Sequence, residues 1–565
     1  MTDHGSPVHN SFETNQTQHN MNLRHVKFLV LLLITCASCA RDRGPQELVF
    51  ESAHENGVLA NEGFRRCNDY MISWLGHADS LTGLIPRNLY ESDHIWNAQD
   101  AAADNYPFMV LTAAITSPGL FEGTMHDMLA AESSLTPRIG KMPDTYSFVK
   151  QGFEYDTIDT ADIIFGASEY IKDGLLPLTE WLGFSPWYER LIEILDDIWA
   201  YAPVPTESGR IPSDNVEVNG EMLQALSRIY WMSGDEKYMD WGVRLGDYYL
   251  LGDHHPTRDL ESLRLRDHGC EIVSGLCELY CMVSYARPKK KAAYQKPLYE
   301  MLDRILEVGT NEHGLFYNVV NPITGEIIND GIADTWGYTY NGYYAVYMID
   351  GLDKYREAVI HALENIGHYK AFDWERGSAD GYADAIESGL NLYNREPLPV
   401  TLDWLDSEIV VMWSMQDSSH REQALQWMGS GIIEGWHGDG NFARTSIMYC
   451  LLKTQGITIQ PWRKDVIFGA SSQHGRLYVH LSAEDDWDGD IIFDFSRSKD
   501  NMHLPVDYPR INQFPEWFVV SDDTEYRLEF SGGNGAEVVN GKILKRGFPI
   551  KIDKGRAYNL VVQAL

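Results

Sequence analysis

Asp380, Asp384 and Glu387 stand four and then three residues apart, the spacing that sets three carboxylates on one face of a helix. Like charges held so close repel, and at least one must keep its proton above the usual carboxylate range. A carboxyl that stays protonated near neutrality is a general acid, and a second, ionised carboxylate activates water or attacks directly. Glycosidic bonds are cut by such a pair. The acid or base is therefore expected from Asp384 or Glu387. Its partner is expected from Asp100, Asp104 or Asp334, of which Asp100 and Asp104 are again one helical turn apart.

Other side chains gather around these acids. Asp334 leads into Thr335-Trp336-Gly337-Tyr338, with Tyr340 and Asn341 close behind. His268 and Glu271 share a helical face, and Arg444 follows the run His437-Gly438-Asp439-Gly440-Asn441. His268 joins the catalytic set and, with Arg444, is expected to position polar or carboxylate groups of a substrate. Trp336, Tyr338 and Tyr382 are expected to stack on a sugar or hydrogen-bond it, because ring faces cover the apolar face of a pyranose. Asn105, Glu271, Asn341 and Asp439 complete the expected substrate-binding set. Capping competes with this reading, since Asp, Asn and Ser favour helix N-termini for local reasons. A cap accounts for one acid per helix. It does not account for acids at a second or third position of the same apolar helix.

The elements that carry these clusters read as helices from about residue 55 to 457. Amphipathic segments such as 187–201, 236–251, 294–308 and 354–369 carry charges on one face. They alternate with segments apolar on most sides, at 97–115, 159–171, 215–231, 267–285, 335–349, 382–393 and 442–453. Helices of the second kind are buried ones. Glycine-containing links such as Ser233-Gly234-Asp235 and Asp350-Gly351-Leu352 end them as C-caps do. A repeat of helical hairpins at a period of about 45–60 residues follows. Six or seven hairpins close into a ring with one loop-lined mouth, and an open solenoid is the alternative.

After Gly456 the pattern becomes short β-rich runs at 466–468, 477–481, 491–495, 517–520, 526–530 and 558–562, punctuated by Asp488-Gly489 and Asn540-Gly541. The expected fold class is mainly α: an (α/α)6 or (α/α)7 toroid over residues 40–457, with an antiparallel β-sandwich over 458–565 as packing support. Trp487 and Trp517 are the sandwich's candidate sugar contacts.

Residues 1–39 read as a leader and an export signal. Arg24 and Lys27 precede the apolar run Phe28–Ile34, too short to span a membrane, and Thr35-Cys36-Ala37-Ser38-Cys39 follows. The pattern resembles a bacterial lipoprotein signal, with Cys39 the expected lipidated residue, Cys36 the second choice, and plain secretion the alternative. Any membrane attachment is expected only through that lipid.

An exported helical toroid with a C-terminal β-sandwich resembles the (α/α)-toroid carbohydrate-active enzymes, the six-hairpin glycoside hydrolases and toroid polysaccharide lyases. The resemblance is architectural, spans nearly all of the mature chain and matches no single family. It implies a carbohydrate partner and a site at the ring's mouth.

Function is then expected to be hydrolysis of a poly- or oligosaccharide, one that can contain uronic acid, by carboxylate acid–base chemistry. The alternative is β-elimination at a uronic acid, drawing on Asn105, Asn219, His268, Tyr338, Asn341 and Arg444. A second alternative is a surface lipoprotein that holds glycans without cutting them. The abundance of acids favours the hydrolase.

Composition closes off other classes. The chain has 565 residues, 44% apolar and 12% aromatic, with a formal net charge of −36. Nucleic-acid binding needs a basic footprint that this chain lacks. Cys67, Cys270, Cys277, Cys281 and Cys450 are too sparse for a disulfide scaffold and read as core residues. Asp253-His254-His255 follows an outer helix on what reads as the wrong side of the ring, so no metal is expected. No Gly-rich phosphate loop and no Gly-x-Ser-x-Gly elbow occurs, and no cofactor is expected. No feature of the sequence assigns an oligomeric state.

Overall fold

Side chains that satisfy helix ends in this chain stand at the sequence clusters described above. Asn97, Asp159, Asn215 and Ser378 each accept backbone N–H groups at a helix start. Capping therefore takes one residue per cluster and leaves the next acids in each helix to other work. The computed structural model describes residues 45–417, 422–435, 439–531 and 535–565, so Cys36, Cys39 and His437 lie outside the described residues.

The helices alternate as the hydrophobic pattern predicts. Those with one apolar face are α1 (Pro45–Leu75), α3 (His126–Leu135), α5 (Pro186–Ala200), α7 (Glu236–Gly246), α9 (Pro288–Gly309), α11 (Asp353–Asn365) and α13 (Pro399–Asp417). Between them run helices buried on most sides. Helix α2 opens as a π-helix over Ala98–Asn105 and continues as Tyr106–Thr116. Helix α4 runs over Thr160–Glu169, widens to a π-helix over Tyr170–Leu175 and ends as Leu176–Leu182. The others are α6 (Val216–Ser233), α8 (Glu271–Ala286), α10 (Trp336–Asp350), α12 (Ala379–Tyr393) and α14 (Asp439–Thr454). Each buried helix packs on the next in chain order, and α14 returns to α2.

Two close approaches hold this arrangement. At the return, a Cβ on Gly440 would overlap the backbone of Asp104, so only glycine lets α14 meet α2 there. Between α6 and α8, a Cβ on Gly220 would meet the backbone of Glu271 and Ile272, and one on Gly275 the backbone of Gly220. The π-segments have a local cause. Each is followed two residues on by a proline, Pro107 or Pro177. Proline donates no N–H and its ring crowds the carbonyl four residues back, so the backbone widens just before it.

The last part of the chain forms two antiparallel sheets. Strands β1 (Thr458–Gln460), β4 (Trp487–Ile492) and β7 (Phe548–Ile552) lie in the order β1-β4-β7. Strands β2 (Val466–Gln473), β3 (Arg476–Ala483), β5 (Glu525–Phe530), β6 (Ala536–Asn540) and β8 (Ala557–Ala564) lie in the order β2-β3-β8-β5-β6. The expected strand at 517–520 is instead a single bridge, Asp494 to Val519. Trp487 is buried and donates to the Pro461 carbonyl, which removes it from the candidate sugar contacts.

Residues 50–565 form one contact unit, and the segment after β4 explains much of that. It leaves the sheet and runs under the ring of buried helices. Arg510 pairs with Glu180 of α4, Tyr508 donates to Glu278 of α8, and Arg228 of α6 donates to the Ile511 carbonyl. Asn391 of α12 donates to the Arg510 carbonyl. The five described cysteines are all buried and unpaired. No described helix is long and apolar enough to cross a membrane.

Candidate active site

The N-terminal ends of the buried helices converge on a cavity of about 240 Å³. Asp100, Asp104, His268, Glu271, Tyr338, Asp384 and Arg444 line it, so seven of the expected residues meet at one place. Asp380, which shares the helical face of Asp384, also lines it, and residues outside the expected sets complete it: Gln99, Glu169, Lys172, Asp173, Asp267, Thr335, Glu375, Asn441 and Asn512. The π-segments of α2 and α4 supply five of the lining residues, Gln99, Asp100 and Asp104 from α2 and Lys172 and Asp173 from α4. Asp267, Glu375 and Asn512 hold left-handed backbone, with φ of 51°, 43° and 59°. Such conformations persist only where surrounding structure over-determines them, and they gather at functional sites.

Arg444 organises one wall. Its guanidinium pairs with Asp384 at 2.6 Å and with Glu387 at 2.8 Å, and it donates to Asn441. The Tyr338 hydroxyl, 2.9 Å from both carboxylates, donates between them. Lys172 organises the opposite wall, paired with Asp173 at 2.6 Å and with Glu271. Asn512 joins the two walls from below. Its side chain donates to Asp173 at 2.7 Å and its backbone N–H to Glu387 at 2.6 Å. Asp100 accepts from Arg87 at 2.8 Å and from Asn97.

The remaining acids are less compensated. Burial first, then the Asp100 and Asp173 carboxylates, push Asp104 well above the usual carboxylate range. Burial, then Asp384 and Glu375, does the same to Asp380, although Asn441 donates to it at 2.6 Å. Asp334 lies just behind the cavity and is lifted to about 7 by burial and by Asp384 and Glu375. For His268, burial opposes the charge, but Asp173, Glu169 and Glu217 outweigh it and raise the imidazole to about 10.

Several expected roles are corrected. Glu387 is fully buried behind the wall, where its contacts are Arg444, Tyr338, Asn391 and the Asn512 backbone, so it holds Arg444 and Asn512 in place. Trp336 is fully buried against Trp404 and does not line the cavity. Tyr382 faces Glu408 and Asp373 on the outer side of α12, two residues in phase from Asp380 and therefore on the opposite face. Tyr338 alone of the expected aromatics reaches the cavity. Asn105 is buried at the ring's closure, where its side chain accepts from the Gly440 N–H. Asn341 is buried outside the lining, with no hydrogen bond to its side chain among the described residues. Asp439 opens α14, and its side chain is outside the described ones. Trp517 rests against Tyr393, away from the cavity.

No family model matches the chain, and no curated protein matches it. Among solved structures it is similar to carbohydrate-active enzymes of helical-toroid fold. A family 76 glycoside hydrolase (mannosidase) from Bacteroides thetaiotaomicron VPI-5482 is 12% identical, over 69% of this chain and 98% of that one, with a TM-score of 0.39. The cellobiose 2-epimerase of Bacillus thermoamylovorans B4167 is 13% identical, over 52% and 86%, with a TM-score of 0.35. A family 127 β-arabinofuranosidase is 11% identical, over 92% and 78%, with a TM-score of 0.35.

Proposed function

We propose that the chain is a glycoside hydrolase, acting by carboxylate acid–base chemistry in a ring of seven helical hairpins backed by a β-sandwich. One observation carries the reading: a carboxyl driven to keep its proton, Asp104, shares a cavity with an ion-paired carboxylate, Asp384. Asp104 donates its proton to the departing glycosidic oxygen as the C–O bond breaks. Asp384 assists the water that forms the new bond at the sugar carbon, or first attacks that carbon itself. Arg444 and Tyr338 hold Asp384 in position. Export by the leader, with lipid on Cys39, belongs to the same proposal and puts the substrate in the periplasm or at the cell surface.

The electrostatics favour a neutral glycan over a uronate. The lining cations Lys172 and Arg444 are each paired with protein carboxylates, so a substrate carboxylate would compete with them. The test is a turnover screen on neutral and uronic-acid glycans, reading new reducing ends together with the ultraviolet absorbance of an unsaturated uronate. Reducing ends without absorbance are expected. Absorbance rising with them overturns hydrolysis in favour of elimination. Asp104→Asn is expected to retain glycan binding while turnover is lost, and equal binding with no turnover in the parent overturns the enzyme reading.

A further inference from the structure

One stretch of the cavity wall has no part in the acid–base pair. Glu169 ends the first stretch of α4, Glu217 and Glu221 stand one turn apart on α6, and His268 rises from the 3-10 turn before α8. One ligating atom from each lies within 4.8 Å of the others. His268 Nδ1 is 3.9 Å from the Glu217 carboxylate and 3.9 Å from that of Glu221. That is too long for a hydrogen bond. It is the separation of two donors on either side of a shared ion, each about 2.0–2.2 Å from it.

Glu221 gives the second, independent sign. It has no exposed surface, and neither of its carboxylate oxygens has a hydrogen-bond partner among the described residues. Buried polar atoms in native proteins are satisfied, and one that is not calls for a missing partner. The neighbouring ammonium of Lys172 is already held between Asp173 and Glu271. Three carboxylates therefore share a single imidazole.

We propose that Glu169, Glu217, Glu221 and His268 bind a divalent cation. Three carboxylates and an imidazole suit a borderline ion, Zn2+ or Mn2+. Ca2+ takes oxygen ligands alone, and Mg2+ keeps most of its water. Glu169 and His268 also line the cavity, so the ion sits in its wall with a side open to the substrate space, where a sugar hydroxyl completes its coordination. His268 then serves as a ligand rather than as a contact to the substrate.

The test reads metal directly and is independent of turnover, so it fails or succeeds apart from the hydrolase reading. The purified chain is stripped with a chelator, incubated with Zn2+ or with Mn2+, desalted and assayed by elemental analysis. About one equivalent of at least one of the two is expected, with a higher Tm in its presence. Glu221→Gln and Glu217→Gln are each expected to weaken uptake by about tenfold or more. Glu217 sits nearer solvent than Glu221 (side chain 14% and 0% exposed), so its substitution spares the fold if the other does not. His254→Ala, in the separate Asp253-His254-His255 loop, is expected to change nothing. The proposal is overturned if the folded chain takes up neither ion, or if both Gln variants bind as the parent does. It is also overturned if glucosamine raises the Tm where the metals do not, which would assign these carboxylates to an ammonium group.

Discussion

The carboxylates at the base of the helical ring all have a matching cation, whereas at the cavity some do and some do not. At the base, Glu180 is matched by Arg510 and Glu278 by Arg228, with the Tyr508 hydroxyl added to the second pair. At the cavity end, Asp104, Asp380, Glu169 and Glu221 are lifted well above the usual range, burial being the leading cause in each. The counter-charge differs: each acid at the base is paired with a buried arginine, and none of these four is paired with an arginine among the described residues. A matched carboxylate locks helices together, whereas an unmatched one is costly in the resting protein and is retained where protons or cations must be handled.

Four experiments break or sharpen that contrast. The largest effect is on chemistry. Asp104→Asn and Asp384→Asn should each lower kcat by roughly 10²–10⁴ on a glycan that the parent cleaves, with the circular dichroism spectrum unchanged. Next comes stability at the base. Arg228→Met leaves Glu278 buried without its partner and should cost about 3–5 kcal/mol in denaturant unfolding. A loss no larger than that of a surface substitution would erase the distinction between the two ends.

Neutralising an acid beside the cavity should act the other way. The folded Asp334 carboxyl holds its proton up to about 7, against 3.8 for the free group. Folding therefore binds a proton between these values, and the parent loses stability as pH rises through that window. Asp334→Asn escapes the loss. Its advantage should be near zero at acid pH and reach roughly 4 kcal/mol at most above pH 7. Unfolding midpoints measured across that range would show it, and an advantage that stays constant with pH would refute the assignment. The smallest expected effect is at Tyr382→Phe, which faces α13 rather than the cavity and should leave turnover unchanged within about twofold, stability shifting by about 0.5 kcal/mol or less.

Much of this was legible in the sequence. Six of the seven buried helices fall within a few residues of the apolar segments, because their patterning has to match the helical period, whereas α4 runs on to Leu182, past the segment expected to end at 171. Asp100, Asp104, His268 and Asp384 follow from acids placed beyond the capping position. Trp336 and Tyr382 show where the reading ran short. Two residues on a helix are about 200° apart, so Trp336 cannot share the cavity face with Tyr338, nor Tyr382 with Asp380 and Asp384. Phase could have separated them. Lys172 and Asp173 left a weaker trace, a charged pair inside an otherwise apolar helix. Glu169, Glu217 and Glu221 are ordinary acids until α4, α6 and the turn before α8 are brought together. Asn512 left no trace, because the sheets return it to the ring from far along the chain.

That return sets a timetable for the protein's own making. As the chain leaves the ribosome, all the helices of the ring are out before residues 507–513, which brace Arg228, Asn391, Asp173 and Glu387 from beneath. A nascent ring lacks its base until the strands that anchor this segment have also been made. The cavity can be finished only near the end of synthesis, and a fragment cut at residue 457 would lack part of the cavity rather than form a smaller version of it.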